Sequence, residues 1–152
     1  FCVLSSIEIT KMKKIILILM LGVGFASCKS TTKTTNTTAA NSISWSSSSM
    51  LAEAKHSATE TGKPIFVDVS TAWCGYCKKM MKNVYTDEAV AQAMNAGFIP
   101  LALDGEKSDG AELVSKLGIN GFPTLLILDA QGNVLKKKTG YLDAQQLIAF
   151  LK

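Results

Sequence analysis

The most constraining feature of the sequence is a pair of cysteines, Cys74 and Cys77, between a short apolar run and a predicted helix. The apolar run, Ile65–Val69, is rich in β-branched residues and predicts a buried strand. The helix is predicted at Lys78–Tyr85. Because a helix N-terminus exposes unpaired N–H groups and partial positive charge, it stabilises a thiolate. We therefore expect a lowered pKa for Cys74, which would attack as a nucleophile, and we expect Cys77 within bridging distance on the same helix face.

The four cysteines of the chain exclude several kinds of metal site. Cys2 lies before the expected start of translation and Cys28 follows an apolar leader, which leaves two thiols in the part expected to fold. Zinc needs four ligands, and that part adds only His56 to the two thiols. Haem attachment needs a His at the position of Lys78, and two thiols are too few for an iron–sulfur cluster with four cysteine ligands. What remains is a dithiol–disulfide pair, redox-active or structural, although a bridge that closes so short a loop stabilises little.

The N-terminal region predicts an export leader. We expect Met12 to be the start of translation and residues 1–11 to be an upstream extension. Residues 12–27 combine two early lysines, a short apolar run and small residues at the end, which is typical of a signal peptide. Cys28, directly after them, resembles the lipidation site of bacterial lipoproteins; the alternative is an ordinary cleaved signal. The Ser/Thr-rich residues 28–44 predict a flexible tether, so the expected location is the periplasmic side of a bacterial membrane, held by a lipid anchor.

The basic residues do not favour nucleic acid as a partner. All 16 are Lys, and the chain has no Arg for a bidentate contact to phosphate or guanine. From Met50 to Lys152, 11 Lys stand against 11 Asp and Glu. The part expected to fold is therefore neutral and offers no basic patch.

The pattern over residues 45–152 predicts strands that alternate with helices. The last helix has Asp143 as its N-cap and Gln146 three residues on, a capping box. The other predicted elements are, in chain order, a possible first strand at Ile43 and Trp45, a helix at Ser48–Thr61, a helix at Asp87–Ala96, a strand at Phe98–Leu103, a helix at Gly110–Leu117 and a hairpin of strands Leu125–Leu128 and Val134–Lys138. This order predicts an α/β fold with parallel pairing first and an antiparallel edge at the end.

Three segments in combination resemble the thioredoxin family: Asp68–Cys77, Gly118–Thr124 and Gly140 after the hairpin. Lys63-Pro64 and Tyr85–Glu88 are similar to one branch, which includes the C-terminal domain of transmembrane thiol-disulfide interchange proteins. The resemblance covers the whole part expected to fold. It implies a thioredoxin-like fold, a central mixed sheet with helices on both faces and a C-terminal β-hairpin plus helix.

The resemblance also implies roles for single residues. Pro123 matches the cis-proline that packs against the active disulfide, and the backbone of Phe122 would pair with an extended substrate segment. Asp68 matches a buried acid, whose pKa should be raised by burial and which would accept the proton of Cys77. Trp73 matches the residue that shields the disulfide.

The implied activity is protein-disulfide oxidoreduction, with a reducing direction preferred. Gly75 and Tyr76 would contact substrate and tune the thiol chemistry. No cofactor is expected beyond the disulfide, and no metal; the expected partners are client proteins with disulfides or thiols and an upstream redox protein. The alternatives are a disulfide-donating oxidase or isomerase, a non-catalytic binding module and a soft-metal carrier. The sequence departs from thioredoxin at Ser70, and its predicted strand Phe98–Leu103 has no Lys. The sequence therefore does not decide which groups exchange protons with the buried acid.

Overall fold

The computed structural model describes residues 42–152. The predicted upstream extension, the signal peptide, Cys28 and most of the tether lie outside these residues. The helices and strands, in chain order, are α1 Leu51–Thr61, β1 Ile65–Ser70, α2 Gly75–Asn83, α3 Glu88–Gly97, β2 Ile99–Asp104, α4 Ser108–Leu117, β3 Thr124–Leu128, β4 Val134–Thr139 and α5 Ala144–Leu151.

The four strands form one mixed sheet in the order β2-β1-β3-β4. β1 pairs parallel with β2 and antiparallel with β3, and β3 pairs antiparallel with β4. The parallel first pair, the terminal hairpin and the helix after it confirm the predicted α/β architecture. The chain enters the sheet at its centre, because β1 lies between β2 and β3.

Helices cover both faces of the sheet, and the alternation of side chains along each strand feeds two separate cores. In β1, Phe66 points to one face, whereas Val67 and Val69 point to the other. The first core lies against α2, α3 and α5, and its buried members are Ile43, Phe66, Met80, Val84, Tyr85, Val90, Ala91, Met94, Leu125, Ile127, Leu142 and Leu147. The second lies against α1 and α4, and its buried members are Ala54, Ala58, Ile65, Val67, Val69, Leu101, Leu103, Leu113, Ile119, Leu126 and Leu128.

Local signals in the sequence end and begin these helices. Gly62 and Gly118 follow α1 and α4 with φ of 70° and 57°, a left-handed conformation that glycine adopts without steric cost. Asp87 caps α3 by accepting from the Val90 N–H. Asp143 forms the predicted capping box at the start of α5.

Four predicted elements need correction. α1 begins at Leu51 rather than Ser48, because the Ser48 hydroxyl accepts from the Met50 N–H just before the helix. α2 spans Gly75–Asn83 rather than Lys78–Tyr85, and α4 begins at Ser108 rather than Gly110. Ile43 and Trp45 do not form a strand. The backbone there bonds to β2 through Ser46 N–H to Pro100 O at 2.8 Å, and Pro100 has no N–H with which to return a ladder bond.

Candidate active site

The disulfide between Cys74 and Cys77 lies at the N-terminus of α2, just beyond the carboxyl end of β1. The two Cα atoms are 5.3 Å apart. Cys74 is the N-cap residue, and its sulfur accepts from the Cys77 N–H at 3.1 Å. Since orphan N–H groups and the helix dipole favour negative charge at this position, a sulfur here is placed to carry charge as a thiolate.

The disulfide is nearly covered, whereas the residues that flank it are open. Cys74 and Cys77 are 4% and 3% exposed, but Trp73 and Tyr76 are 65% and 63% exposed. Gly75, between them, has open space where a Cβ would stand. A partner chain would therefore meet an apolar, aromatic rim before it reaches the sulfur atoms.

Trp73 is held at this rim by two contacts from distant parts of the chain. Its indole Nε1–H donates to Glu106 Oε1 at 2.9 Å, and its ring meets the Phe122 ring edge-on with centroids 5.8 Å apart. Phe122 also packs against the core beneath α1 and α4. The structure thus brings together Trp73 and Phe122, which are far apart in the sequence.

The loop before β3 reaches the same end of the sheet. The Phe122–Pro123 peptide bond is cis, and the Pro123 carbonyl accepts from the Gly140 N–H at 2.8 Å. Thr124 begins β3 and pairs with Val69 in β1, so this loop lies beside the chain that leads into the cysteine motif. The roles expected for Phe122 and Pro123 toward a substrate remain predictions.

A second aromatic group extends the rim on the other side of the motif. The rings of Tyr76 and Tyr141 have centroids 6.4 Å apart. The Lys79 ammonium lies 4.6 Å from the centroid of the Tyr141 ring, within the range of a cation–π contact. Tyr141 follows β4, so the hairpin contributes to the surface around the disulfide.

Asp68 is buried in the middle of β1, on the face covered by α2, α3 and α5. Desolvation raises its pKa from 3.8 to about 6, and the Tyr85 hydroxyl opposes part of that rise. The pKa of Tyr85 is raised well above its ordinary value, mainly by burial and to a smaller extent by the nearby Asp68 carboxyl. Neither Asp68 Oδ1 nor Tyr85 Oη reaches hydrogen-bond geometry with any group in residues 42–152. Asp68 is therefore an acid that changes its protonation near neutral pH, as expected of a buried carboxyl.

Sequence reasoning missed Tyr85, Glu106 and Tyr141 as neighbours of the site. Tyr85 had a detectable signal, because positions 77, 80, 84 and 85 follow the helical spacing that places residues on one buried face. Glu106 and Tyr141 had none, since their contacts join residues more than 30 positions apart in the chain.

Residues outside this group have simpler environments. His56 lies on the exposed surface of α1, 3.6 Å from Glu60 through Nδ1 and Oε2. Met80 is buried in a core and Met81 is exposed. Among residues 42–152, His, Cys, Asp and Glu side chains form no group of three or more that could hold a metal ion. None of the helices in that range has the length and apolar character needed to cross a membrane.

Comparison with known proteins places this geometry in a family. The profile of the thioredoxin-like domain family matches residues 51–152. The thiol:disulfide interchange protein DsbD of Yersinia pestis is 32% identical over 94 residues, which are 60% of this chain and 16% of that protein. DsbD of Actinobacillus pleuropneumoniae is 33% identical over 106 residues, 66% of this chain and 18% of the relative. The chain therefore spans about one sixth of the length of the curated relatives it matches.

Solved structures agree with this assignment. The solution structure of a candidate disulphide-isomerase from Bacteroides thetaiotaomicron is 37% identical, with a TM-score of 0.65 over 72% of this chain and 90% of that one. The oxidised C-terminal domain of DsbD from Neisseria meningitidis, at 20% identity, has the same fold, with a TM-score of 0.56 over 71% of this chain and 95% of that domain. The family profile, the fold and the cysteine pair at a helix N-terminus together show that the chain belongs to the thioredoxin-like family.

Proposed function

We propose that the chain is a thiol-disulfide oxidoreductase that reduces disulfides in client proteins. The observation that carries the proposal is the Cys74–Cys77 disulfide at the N-terminus of α2, covered itself but surrounded by exposed aromatic side chains. The names of the relatives, thiol:disulfide interchange proteins, support the same chemistry.

The reaction follows from the positions of the two cysteines. The Cys74 thiolate attacks one sulfur of a client disulfide, forms a mixed disulfide and releases the other client sulfur as a thiolate. Cys77 then attacks the Cys74 sulfur, which restores the Cys74–Cys77 disulfide and releases the second client thiolate. Two electrons pass to the client, and an upstream redox protein must return two electrons to the chain.

Other residues of the site assist these steps. Asp68 accepts the proton that the Cys77 thiol loses as it attacks, a role suited to a carboxyl with a pKa of about 6. The Phe122–Pro123 backbone pairs with an extended client segment. Trp73, Gly75 and Tyr76 form the surface on which that segment lies.

The test is disulfide reduction in insulin with dithiothreitol as the electron source, measured for the wild-type chain, Cys74→Ser and Cys77→Ser. We expect Cys74→Ser to fall to the uncatalysed rate and Cys77→Ser to accumulate a mixed disulfide, visible by mass spectrometry. Met81→Ser, an exposed change on the same helix, is the control and should keep the wild-type rate. Equal rates for wild type and Cys74→Ser would contradict the proposal.

The direction of electron flow is tested by the reduction potential of the pair, equilibrated against glutathione or dithiothreitol. A value near roughly −270 mV fits a reductant, whereas roughly −120 mV fits a disulfide donor. A pair that resists reduction below about −300 mV would favour a structural disulfide.

A second candidate is disulfide isomerisation, favoured by the 37% identity to the candidate disulphide-isomerase of Bacteroides thetaiotaomicron. Reactivation of scrambled ribonuclease separates the two, because an isomerase restores its activity in a glutathione buffer and a pure reductase leaves it reduced.

We also propose that the chain is anchored to the periplasmic side of a bacterial membrane through a lipid on Cys28. The support is the sequence alone, a leader that ends in small residues before this Cys. Mass spectrometry of the membrane-extracted chain should show a lipid on an N-terminal Cys28. Cys28→Ser should move the chain to the soluble fraction, and a Cys28→Ser chain that stays in the membrane would contradict the anchor.

A further inference from the structure

The core beneath α2, α3 and α5 contains two polar groups that point to a function beyond packing. Asp68 comes from the centre of β1 and Tyr85 lies two residues beyond the end of α2. Both side chains are buried, and each has an oxygen without a hydrogen-bond partner in the described residues. An unpartnered buried polar group costs about 1–3 kcal/mol, so a pair of them in one core calls for an explanation.

Thr71 Oγ1, just beyond β1, is the other buried side-chain oxygen without a partner in residues 42–152, and the side chains of this core are mostly apolar. Its cross-strand neighbours are Ala102 on β2 and Leu125 on β3. Helix α2 contributes Met80 and Cys77 to this core. Cys77 becomes a second titratable group when the disulfide is reduced. The apolar and aromatic side chains of this core from α3, α5 and the segments before α1 and α5 include Val90, Ala91, Met94, Leu147, Ile43, Leu142 and, partly buried, Trp45 and Tyr141.

The position of Tyr85 is fixed by packing. Its ring meets that of Trp45 edge-on with centroids 5.1 Å apart. The Tyr85 N–H donates to the Met80 carbonyl at 3.0 Å, which ties the residue to α2. The hydroxyl is thus held among apolar groups, and the Asp68 carboxyl is the charged group that acts on it.

We propose that Tyr85 is a positioning residue for Asp68. When the Asp68 carboxyl ionises, the Tyr85 hydroxyl, which has no partner among the described residues, donates a hydrogen bond to it and so sets the pH at which Asp68 can take a proton. Tyr85 itself stays protonated throughout. A hydrogen bond to the charged form of an acid favours that form, so it opposes the effect of burial.

This inference rests on the proposed function for its consequence in the reaction. During resolution the Cys77 thiol gives its proton to the Asp68 carboxylate, and the Cys77 sulfur forms the bond to Cys74. Without Tyr85, a larger share of Asp68 is already protonated at neutral pH and cannot accept that proton. Resolution should then need a higher pH.

The experiment is a pH titration of the Asp68 carboxyl carbon by NMR in the oxidised full chain, where Cys74 and Cys77 do not titrate. Asp68→Asn identifies the signal. In Tyr85→Phe the titration midpoint should move upward by about one pH unit, a tenfold change in the acid dissociation constant. Tyr76→Phe removes an exposed tyrosine hydroxyl outside this core and should leave the midpoint unchanged. An Asp68 midpoint that is equal or lower in Tyr85→Phe would overturn the proposal.

A reciprocal measurement guards against an indirect effect of the substitution. In the wild-type chain the Tyr85 Cζ shift should follow the Asp68 titration, and in Asp68→Asn it should stay constant over that range. A Cζ shift that titrates equally in both would also overturn the proposal. Insulin reduction is measured separately, so a chain that fails there but shows the expected NMR shifts would refute the proposed function and support the Asp68–Tyr85 hydrogen bond.

Discussion

The buried Thr124 side chain of β3 is hydrogen-bonded, whereas the buried side chains of Asp68 in β1 and Tyr85 after α2 each have an oxygen with no partner among residues 42–152. Thr71 Oγ1, just beyond the end of β1, is likewise without a partner there. Thr124 is the cross-strand partner of Val69, so its side chain lies on the same face of the sheet. The Thr124 hydroxyl donates to Gly121 O at 2.8 Å and lies 3.0 Å from the Thr139 hydroxyl. Asp68 Oδ1 and Tyr85 Oη lie on the other face. The face covered by α1 and α4 therefore buries a hydrogen-bonded hydroxyl from β3, whereas the opposite face buries polar oxygens at an energetic cost.

The two cores differ in what they place near the disulfide. Phe122, at the rim, packs on the α1 and α4 side, while Asp68 and the buried face of α2 lie on the other. The rim therefore touches both cores, because Tyr76 is on α2 and Tyr141 packs against the core on that side. Asp68 lies in the first core, where desolvation raises its pKa.

The largest expected effect comes from a matched pair of substitutions in β3, Leu125→Ala and Leu126→Ala. Both side chains are fully buried, on opposite faces, so each should lower the free energy of unfolding by about 3 kcal/mol in urea titrations. Leu125 is the cross-strand neighbour of Asp68, and its removal opens space beside the carboxyl. The Asp68 titration midpoint should therefore fall in Leu125→Ala only. Equal midpoints in the two variants would show that the two cores do not differ in the way described.

The next effect is a gain of stability in Asp68→Asn at neutral pH. The pKa of Asp68 is 3.8 in the unfolded reference and about 6 in the folded chain. Between these pH values the unfolded chain gives up the proton and the folded chain keeps it, so the wild type loses stability as pH rises through this range, by about 3 kcal/mol in total. Asparagine carries no such penalty.

Urea unfolding of the oxidised chain at pH 3.5 and pH 8 tests this prediction. The stability advantage of Asp68→Asn over wild type should be larger by up to about 3 kcal/mol at pH 8 than at pH 3.5. Asp109→Asn is a control with the same chemical change outside this core. An advantage of Asp68→Asn that does not depend on pH would contradict the raised pKa.

Much of the fold could be predicted from the sequence because its signals are local. The capping box of Asp143 and Gln146 and the glycines after two helices lie within a few residues of the ends that they define. The strand order could be predicted in part, since a strand–helix–strand unit pairs in parallel and a short turn pairs antiparallel. The possible strand at Ile43 and Trp45 is not formed, because Pro100, which faces it in β2, has no N–H to complete a ladder of hydrogen bonds.

The candidate site could be predicted only where residues are adjacent in the sequence. Cys74, Cys77 and the helix after them form one continuous segment. The contacts of Trp73 with Glu106 and of Tyr76 with Tyr141 depend on how loops from different strands meet at one end of the sheet. The same holds for Asp68 and Tyr85, because helical spacing places Tyr85 on a buried face without showing which strand residue lies opposite.

A third prediction concerns the junction between the rim and the α1 and α4 core. A Cβ on Gly105 would lie 2.6 Å from a Phe122 ring carbon and 3.3 Å from Val69 Cγ1. Gly105→Ala should therefore move the Phe122 ring, lower the free energy of unfolding by about 1–3 kcal/mol and raise KM for insulin. Gly97→Ala, where a Cβ meets nothing within 4 Å, is the control. Because Asp68 lies on the other side of the sheet, its titration midpoint should stay unchanged. A shifted midpoint would mean that the two sides are coupled.

The smallest expected effect is at Glu106, whose carboxylate accepts from the Trp73 indole on the exposed rim. Glu106→Ala removes the acceptor and frees the Trp73 ring. Because the hydrogen bond is exposed, its loss should cost under about 1 kcal/mol and lower kcat/KM at most about fivefold. Glu106→Gln keeps an acceptor oxygen and should behave like the wild type, which separates the hydrogen bond from the charge. Fluorescence anisotropy of Trp73 in a Trp45→Phe background should fall in Glu106→Ala and be unchanged in Glu106→Gln. If both variants lose activity equally, the carboxylate acts through its charge on the client rather than by holding Trp73.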